Sequence, residues 1–340
     1  MILKTTDLTK WYGKFLALDH FNIEVEKGEI FGFVGPNGAG KTTSMRIIAT
    51  LMASSSGDAW IDGISVQAYP MEARKLVGYM PDFFGVYDNL RVHEYLDFYG
   101  DANHVPKAKR KKLAGELLEL VNLSDKADFY VDTLSRGMKQ RLCLARCLIH
   151  EPKLLILDEP ASGMDPQARA EMKYILRALR DQGKSIIISS HILPELGELC
   201  DRVAIINRGK LLTMGTVEEI SRMFTGEQAR MTFTFLTEED IENAVAILRS
   251  NTLTGEIIRE NNDLEVVFRG DDRQAAELIH IMAVSNVKFI SVNRTVQSLE
   301  QVFLEVINSG PAADGAAPDR EDAAGSGEQM AEYAEGRRHA

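Results

Sequence analysis

Cysteine is scarce in this chain, with three in 340 residues, Cys143, Cys147 and Cys200. An odd, sparse set excludes a disulfide framework and suits a reducing compartment. Cys143 and Cys147 lie four apart on a stretch with helical periodicity. Two thiolates cannot complete a metal site, so core packing is their expected role. Long apolar runs are missing too. The richest, residues 153–157 and 185–189, are of strand length, whereas a spanning helix needs about 20 apolar residues. The first residues carry no charged segment followed by an apolar stretch, so no secretory leader is expected and another chain would supply any membrane span. Positive charge is in deficit. The 39 Lys and Arg against 50 Asp and Glu give a net charge of −11, which argues against a nucleic-acid partner held by bulk charge. What is present is ordinary for a globular protein, with 45% hydrophobic and 26% charged residues. That supports a sizeable core and about two domains.

The first half alternates strand-like and helix-like segments. Residues 21–25 alternate apolar and polar, and residues 28–34 form a short apolar run leading into a glycine-rich turn and a helix over 42–52. Helical periodicity over 90–99, 107–121 and 135–149 marks a helical insertion spanning about 85–150. Strand signals return at 154–157, 185–189 and 203–207, with a helix over 166–182. Strand–helix–strand alternation predicts a parallel sheet covered by helices, an α/β class. The pattern breaks near 224–229. Beyond it the order is strand 231–236, helix 238–249, strand 255–259, strand 263–269, helix 272–284 and strand 288–293, with a hairpin turn at Asn261. This βαββαβ order predicts a small α+β, ferredoxin-like domain over 228–308. A last helix is expected over 298–307. Residues 309–340 hold few large apolar side chains and seven acids against three arginines, the composition of a disordered acidic tail.

Residues Gly35-Pro36-Asn37-Gly38-Ala39-Gly40-Lys41-Thr42 fit G-x-x-x-x-G-K-[ST] between an expected strand and an expected helix, with Thr43 next. Glycines let successive backbone N–H groups close around phosphate oxygens, and the helix N-terminus adds partial positive charge. Lys41 can reach the β- and γ-phosphates of ATP, and the Thr42 hydroxyl can ligate Mg2+. The apolar strand 153–157 ends in Asp158-Glu159. Open α/β sheets place ligands at the carboxyl ends of their strands. There Asp158 can hold the magnesium shell, and Glu159 can orient and deprotonate a water.

Leu134-Ser135-Arg136-Gly137-Met138-Lys139-Gln140 opens a helix ahead of the Asp158-Glu159 strand. With Ser162-Gly163-Met164-Asp165 and Ser190-His191 downstream, the order over residues 1–222 resembles the ATP-binding cassette (ABC) ATPases. That resemblance implies a P-loop NTPase fold with a parallel-sheet core, an antiparallel β subdomain and a helical subdomain. It further implies that Tyr12 stacks on adenine, with neighbouring Trp11 as a rival platform. His191 would hydrogen-bond the γ-phosphate, and Asp165 would couple two sites. Ser135 and Gly137 would contact ATP held by a second copy, in a head-to-tail dimer.

The chain departs from the family at two places. Arg136 and Met138 replace the first Gly and the Gln of the usual Leu-Ser-Gly-Gly-Gln. Asp82 stands where the family has a Gln that contacts magnesium and the attacking water, so it is counted with Glu159 and His191 among the catalytic residues. The segment Phe83-Phe84-Gly85-Val86-Tyr87 would, by resemblance, form the groove for a coupling helix of a membrane permease. The basic run 107–112 reads mainly as a solvated face, with anionic lipid headgroups as the other reading. The C-terminal segment 298–306 resembles an accessory extension on the ATPase subunits of two-gene exporters. The expected protein is therefore the ATP-hydrolysing subunit of an exporter of a drug, lipid or polysaccharide-like substrate. It would be peripheral to the cytoplasmic face of the plasma membrane through a permease, with no nucleic acid partner. A soluble ABC ATPase acting on ribosomes or DNA, and a nucleotide-gated regulator with little turnover, are the alternatives.

Overall fold

The computed structural model describes residues 1–82, 85, 87, 89–190, 193–220 and 229–295. The chain opens with β1 (Leu3–Tyr12) and β2 (Phe15–Phe21), an antiparallel pair turning at Gly13. Next come β3 (Glu24–Val25) and β4 (Ile30–Val34), then α1 (Lys41–Ile48). After β5 (Ser56–Ile61) and β6 (Ile64–Ser65), the first sheet is complete, in the order β2-β1-β5-β6 with β3 also on β1. The alternation over 21–25 predicts one strand there, but the structure breaks it. Thr5 Oγ1 donates to Phe21 O and accepts from Ile23 N, while Asn22 Nδ2 donates to His20 O. These side-chain bonds take up backbone groups that an unbroken strand would use.

The second sheet adds β7 (Val77–Met80), β8 (Leu154–Asp158), β9 (Ser185–Ser189), β10 (Arg202–Asn207) and β11 (Lys210–Gly215). Its order is β11-β10-β4-β9-β8-β7, parallel throughout except for β11. All five residues of β4, β8 and β9 are buried, because helices or sheet cover both faces of parallel strands. Successive side chains therefore feed different cores. Leu155, Leu157, Ile186 and Ile188 join one hydrophobic cluster with the helices. Leu154, Ile156, Ile187, Phe31 and Phe33 join another with α1 and the antiparallel sheet.

Short α2 (Pro70–Arg74) precedes β7. Between β7 and β8 lie α3 (Val92–Ala102), α4 (Lys107–Leu120) and α5 (Arg136–Leu148). Cys143 and Cys147 face inward from α5 and are free thiols in its core. Further on, α6 (Pro166–Asp181) links β8 to β9 and α7 (Leu193–Leu199) follows β9. Arg110 departs from the solvated-face reading of its run. Its side chain is 11% exposed, ion-pairs with Asp101 at 2.9 Å and packs on Gly100.

Beyond residue 228 come β12 (Ala229–Phe235), α8 (Glu238–Ser250), β13 (Thr254–Glu260), β14 (Asp263–Phe268), α9 (Asp272–Val284) and β15 (Phe289–Thr295). The sheet order is β13-β14-β12-β15, antiparallel, over its own hydrophobic cluster. The two-residue turn after β13 uses Asn261 at φ 53°, a residue that tolerates the left-handed region. The helix expected over 298–307 and the acidic tail lie outside the described residues.

Candidate functional site

The carboxyl ends of β4, β9, β8 and β7 lie side by side, and the site is built on that edge. Tyr12, Phe15, Ala17, residues 37–43, Asp82, Asp158 and Glu159 line one open cleft of about 260 Å³. Gly38 has φ +79° and Gly40 φ +106°. These conformations suit glycine and turn the loop into α1. No side chain caps α1 and no acid sits in its first turn, so its leading N–H groups are available to an anion. Gly35 admits no side chain, since a Cβ there would meet Ile206 O at 2.4 Å. Lys41 is 7% exposed, and its Nζ donates to Gly35 O at 2.6 Å and Pro36 O at 3.1 Å. Burial pushes the pKa of the Lys41 ammonium down, opposed by the Glu159 and Asp158 carboxylates. Its two carbonyl partners are weaker than a phosphate, which would complete its charge balance.

Asp158 is 2% exposed. Ser189, paired with it in register across β8 and β9, donates from Oγ to Asp158 Oδ1 at 2.7 Å. The same Oγ accepts from Glu159 N at 3.0 Å. Glu159 has φ +52°, a strained value for a non-glycine residue, and it carries the chain sharply off β8. Ser189 was not singled out by the sequence, because a serine at a strand end has no motif of its own. Phe15 was missed as well. It is 63% exposed and lines the cleft beside Tyr12, its register partner at the β1–β2 turn. Of the two rival aromatics, Tyr12 lines the cleft and Trp11 does not. Thr42, Asp158, Asp82 and Glu159 offer hard oxygen donors, a set suited to magnesium that shares its shell with phosphate and water.

The sequence pattern of the ABC transporter family matches residues 18–162. The chain is 35% identical over 316 residues to the bacitracin transport ATP-binding protein of Bacillus licheniformis, covering 91% of this chain and 98% of that protein. It is 30% identical to the linearmycin resistance ATP-binding protein of Bacillus subtilis, covering 90% and 98%. The chain belongs to the ABC transporter ATP-binding proteins. A solved ATP-binding subunit of an ABC transporter superposes with a TM-score of 0.61 at 29% identity, over 66% of this chain and 93% of that one. A dimeric bacterial ABC transporter cassette shares the fold at 24% identity and TM-score 0.58, over 63% and 98%.

In this ABC protein Ser135 and Gly137 do not line the cleft. Ser135 caps α5, its Oγ accepting from Met138 N at 3.3 Å, and Gly137 faces Ala168 in the first turn of α6. Met138, in place of the usual Gln, packs against the helical core. His191, Phe83, Phe84 and Val86 lie outside the described residues. Tyr87 is exposed and meets Phe98 edge-on, with ring centroids 5.2 Å apart, and Phe98 in turn meets Tyr99. Phe98 was not anticipated, because the sequence marks residues 90–99 only as a helical segment and its place beside Tyr87 comes from the fold. Among the described residues no helix is long and apolar enough to cross a membrane.

Proposed function

We propose that this ABC protein homodimerises head to tail on a separate transmembrane permease and couples ATP hydrolysis to export. The observation that carries this reading is the split of its phosphate-directed groups. The P-loop, Asp82, Asp158 and Glu159 share one cleft, while Ser135 and Gly137 stand apart from it. A second copy supplying those two residues would complete each site. The relatives named for bacitracin transport and linearmycin resistance support a drug as cargo, with a lipid or polysaccharide-like substrate as the other readings and the permease making the choice. The accessory domain is read as 228–308, and the site of action as the cytoplasmic face of the plasma membrane.

In this mechanism the P-loop amides and Lys41 bind the phosphates, while Tyr12 and Phe15 flank the base. Thr42 and Asp158 would hold Mg2+, which supplies charge neutralisation at the transferred phosphoryl group. Glu159 takes the proton from the attacking water, and His191 would steady the γ-phosphate. Ser189 fixes the Asp158 carboxylate and the backbone of Glu159. The regulator reading with little turnover draws its support from Asp82, whose carboxylate faces the same phosphate cleft. The test is Glu159→Gln with saturating ATP, followed by light scattering and ATPase assay. An ATP-dependent dimer with lost turnover is the expected result. A monomer at every ATP concentration rejects the dimer.

A further inference from the structure

Arg136 occupies a position where the family usually has glycine, and its guanidinium lies against the backbone of the turn that follows Glu159. A Cβ built on Gly163 would sit 2.4 Å from both Arg136 Cζ and Nη1. Gly163 has φ +68°, so this turn already favours glycine, and the arginine occupies the space a side chain would need. Two further contacts join the same surfaces. Gln140, 2% exposed, donates from Nε2 to Ser162 O at 2.9 Å. A Cβ on Gly137 would come within 3.1 Å of the Ala168 Cβ. The turn in turn leads back to the acid, since Ser162 N donates to Glu159 O at 3.1 Å and Met164 N to Ala161 O at 3.2 Å. Asp165 ends it by capping α6 through Ala168 N at 2.9 Å.

Glu159 is thus held from two sides. Ser189 fixes its N–H, and its carbonyl is tied into a turn pressed against α5. A non-glycine residue at φ +52° is strained and persists only where the surroundings over-determine it. We propose that Arg136 is a positioning residue for Glu159. Its flat guanidinium clamps the 159–165 turn to the start of α5 and so fixes the direction of the carboxylate that receives the water's proton. This deepens the hydrolysis reading above and rests on it. It also gives the altered signature a purpose, because the arginine makes a contact that glycine could not.

The test compares the full chain with Arg136→Gly, Arg136→Lys, Glu159→Gln and the Arg136→Gly/Glu159→Gln pair in single-turnover and steady-state ATP hydrolysis. Arg136→Gly is expected to lower kcat about tenfold with the KM for ATP within about twofold, since ground-state binding is untouched. Arg136→Lys keeps the charge but not the planar face, and recovers only part of the rate. The pair is as slow as Glu159→Gln alone, because the two changes act through one carboxylate. An Arg136→Gly chain at full rate, or a pair about tenfold slower than Glu159→Gln, overturns the proposal. A Glu159→Gln chain at full rate rejects the base assignment itself, and this proposal with it.

Discussion

Ser189 and Asp158 face each other across two parallel strands, and the serine hydroxyl donates to the carboxylate at 2.7 Å while accepting from the N–H of Glu159 at 3.0 Å. One side chain therefore orients the Asp158 carboxylate and holds the backbone of Glu159. Ser189→Ala leaves a buried carboxylate one donor short and a strained N–H without its acceptor, a cost of about 1–3 kcal/mol. Thermal stability should fall accordingly, and the magnesium requirement for hydrolysis should shift upward. Ser189→Thr keeps the hydroxyl and should retain most of both properties. A magnesium titration unchanged in Ser189→Ala would show that Asp158 is set by something else.

Asp82 raises a question of sign. A carboxylate binds magnesium more strongly than an amide oxygen, yet it repels phosphate. Two unit charges about 4 Å apart interact by about 4 kcal/mol at an effective dielectric near 20, too much for a cleft built to bind ATP. Asp82 is therefore expected to face the metal or its waters. Asp82→Asn should weaken the magnesium dependence while ATP affinity changes little. Magnesium-free ATP binding that tightens tenfold or more, about 1.4 kcal/mol, would mean direct repulsion and would strengthen the regulator reading.

Asp62, at the turn between β5 and β6, bridges Lys153 at 2.6 Å and Lys27 at 2.7 Å. Hydrogen bonds from Lys153 and then Lys27 lower its pKa from 3.8 to about 2. A folded-state value below the unfolded one adds stability that is present above pH 3.8 and is lost as pH falls toward about 2. Asp62→Asn should therefore melt lower than the parent at neutral pH, with the gap closing in that acid window. Salt should shrink the gap, because both lysine partners are largely exposed. A gap that stays constant down to pH 2 would rule out the ion pairs as its source.

Tyr87, in the segment expected to dock the permease, and Phe98 against it are each about half exposed, 53% and 45%. A charge placed there would be desolvated on docking. Phe98→Asp is expected to cost about 2 kcal/mol of association, roughly thirtyfold, with ATP binding intact. The measurement is co-sedimentation with membranes that carry a candidate permease. Unchanged sedimentation by a folded variant removes this surface from the interface.

The parts of the candidate site that the sequence made legible are those with a local cause. Phosphate binding needs glycines at a strand-to-helix turn, and Asp158-Glu159 closes an apolar run whose burial on both faces is visible in its composition. The parts supplied by neighbours in space were hidden. Ser189 gains its role only from register with Asp158, and Phe15 only from the hairpin that sets it beside Tyr12. Arg110 looked like one more solvated cation until α3 brought Asp97 and Asp101 against it. The break at 21–25 came in part from Thr5 on the partner strand β1, which no reading of five residues can contain.

The head-to-tail arrangement makes a prediction that no single-chain model shares. α5 begins at a serine cap with no acid in its first turn, so its N-terminus favours an anion, yet the cleft of its own chain does not include Ser135. If the partner's nucleotide fills that place, Lys41 and Ser135 of one chain serve different ATP molecules. Lys41→Ala alone and Ser135→Arg alone should each damage both sites of a homodimer. In a heterodimer of the two, one site receives both lesions and the other receives neither. Mixing the inactive chains should therefore restore hydrolysis, to about a quarter of the parental rate if pairing is random and the sites act independently. Interchain cross-links from position 135 should map near Lys41 of the other copy. Cross-links that join Ser135 to the Lys41 of its own chain, together with no recovery on mixing, would reject the composite site and leave each cassette to work alone.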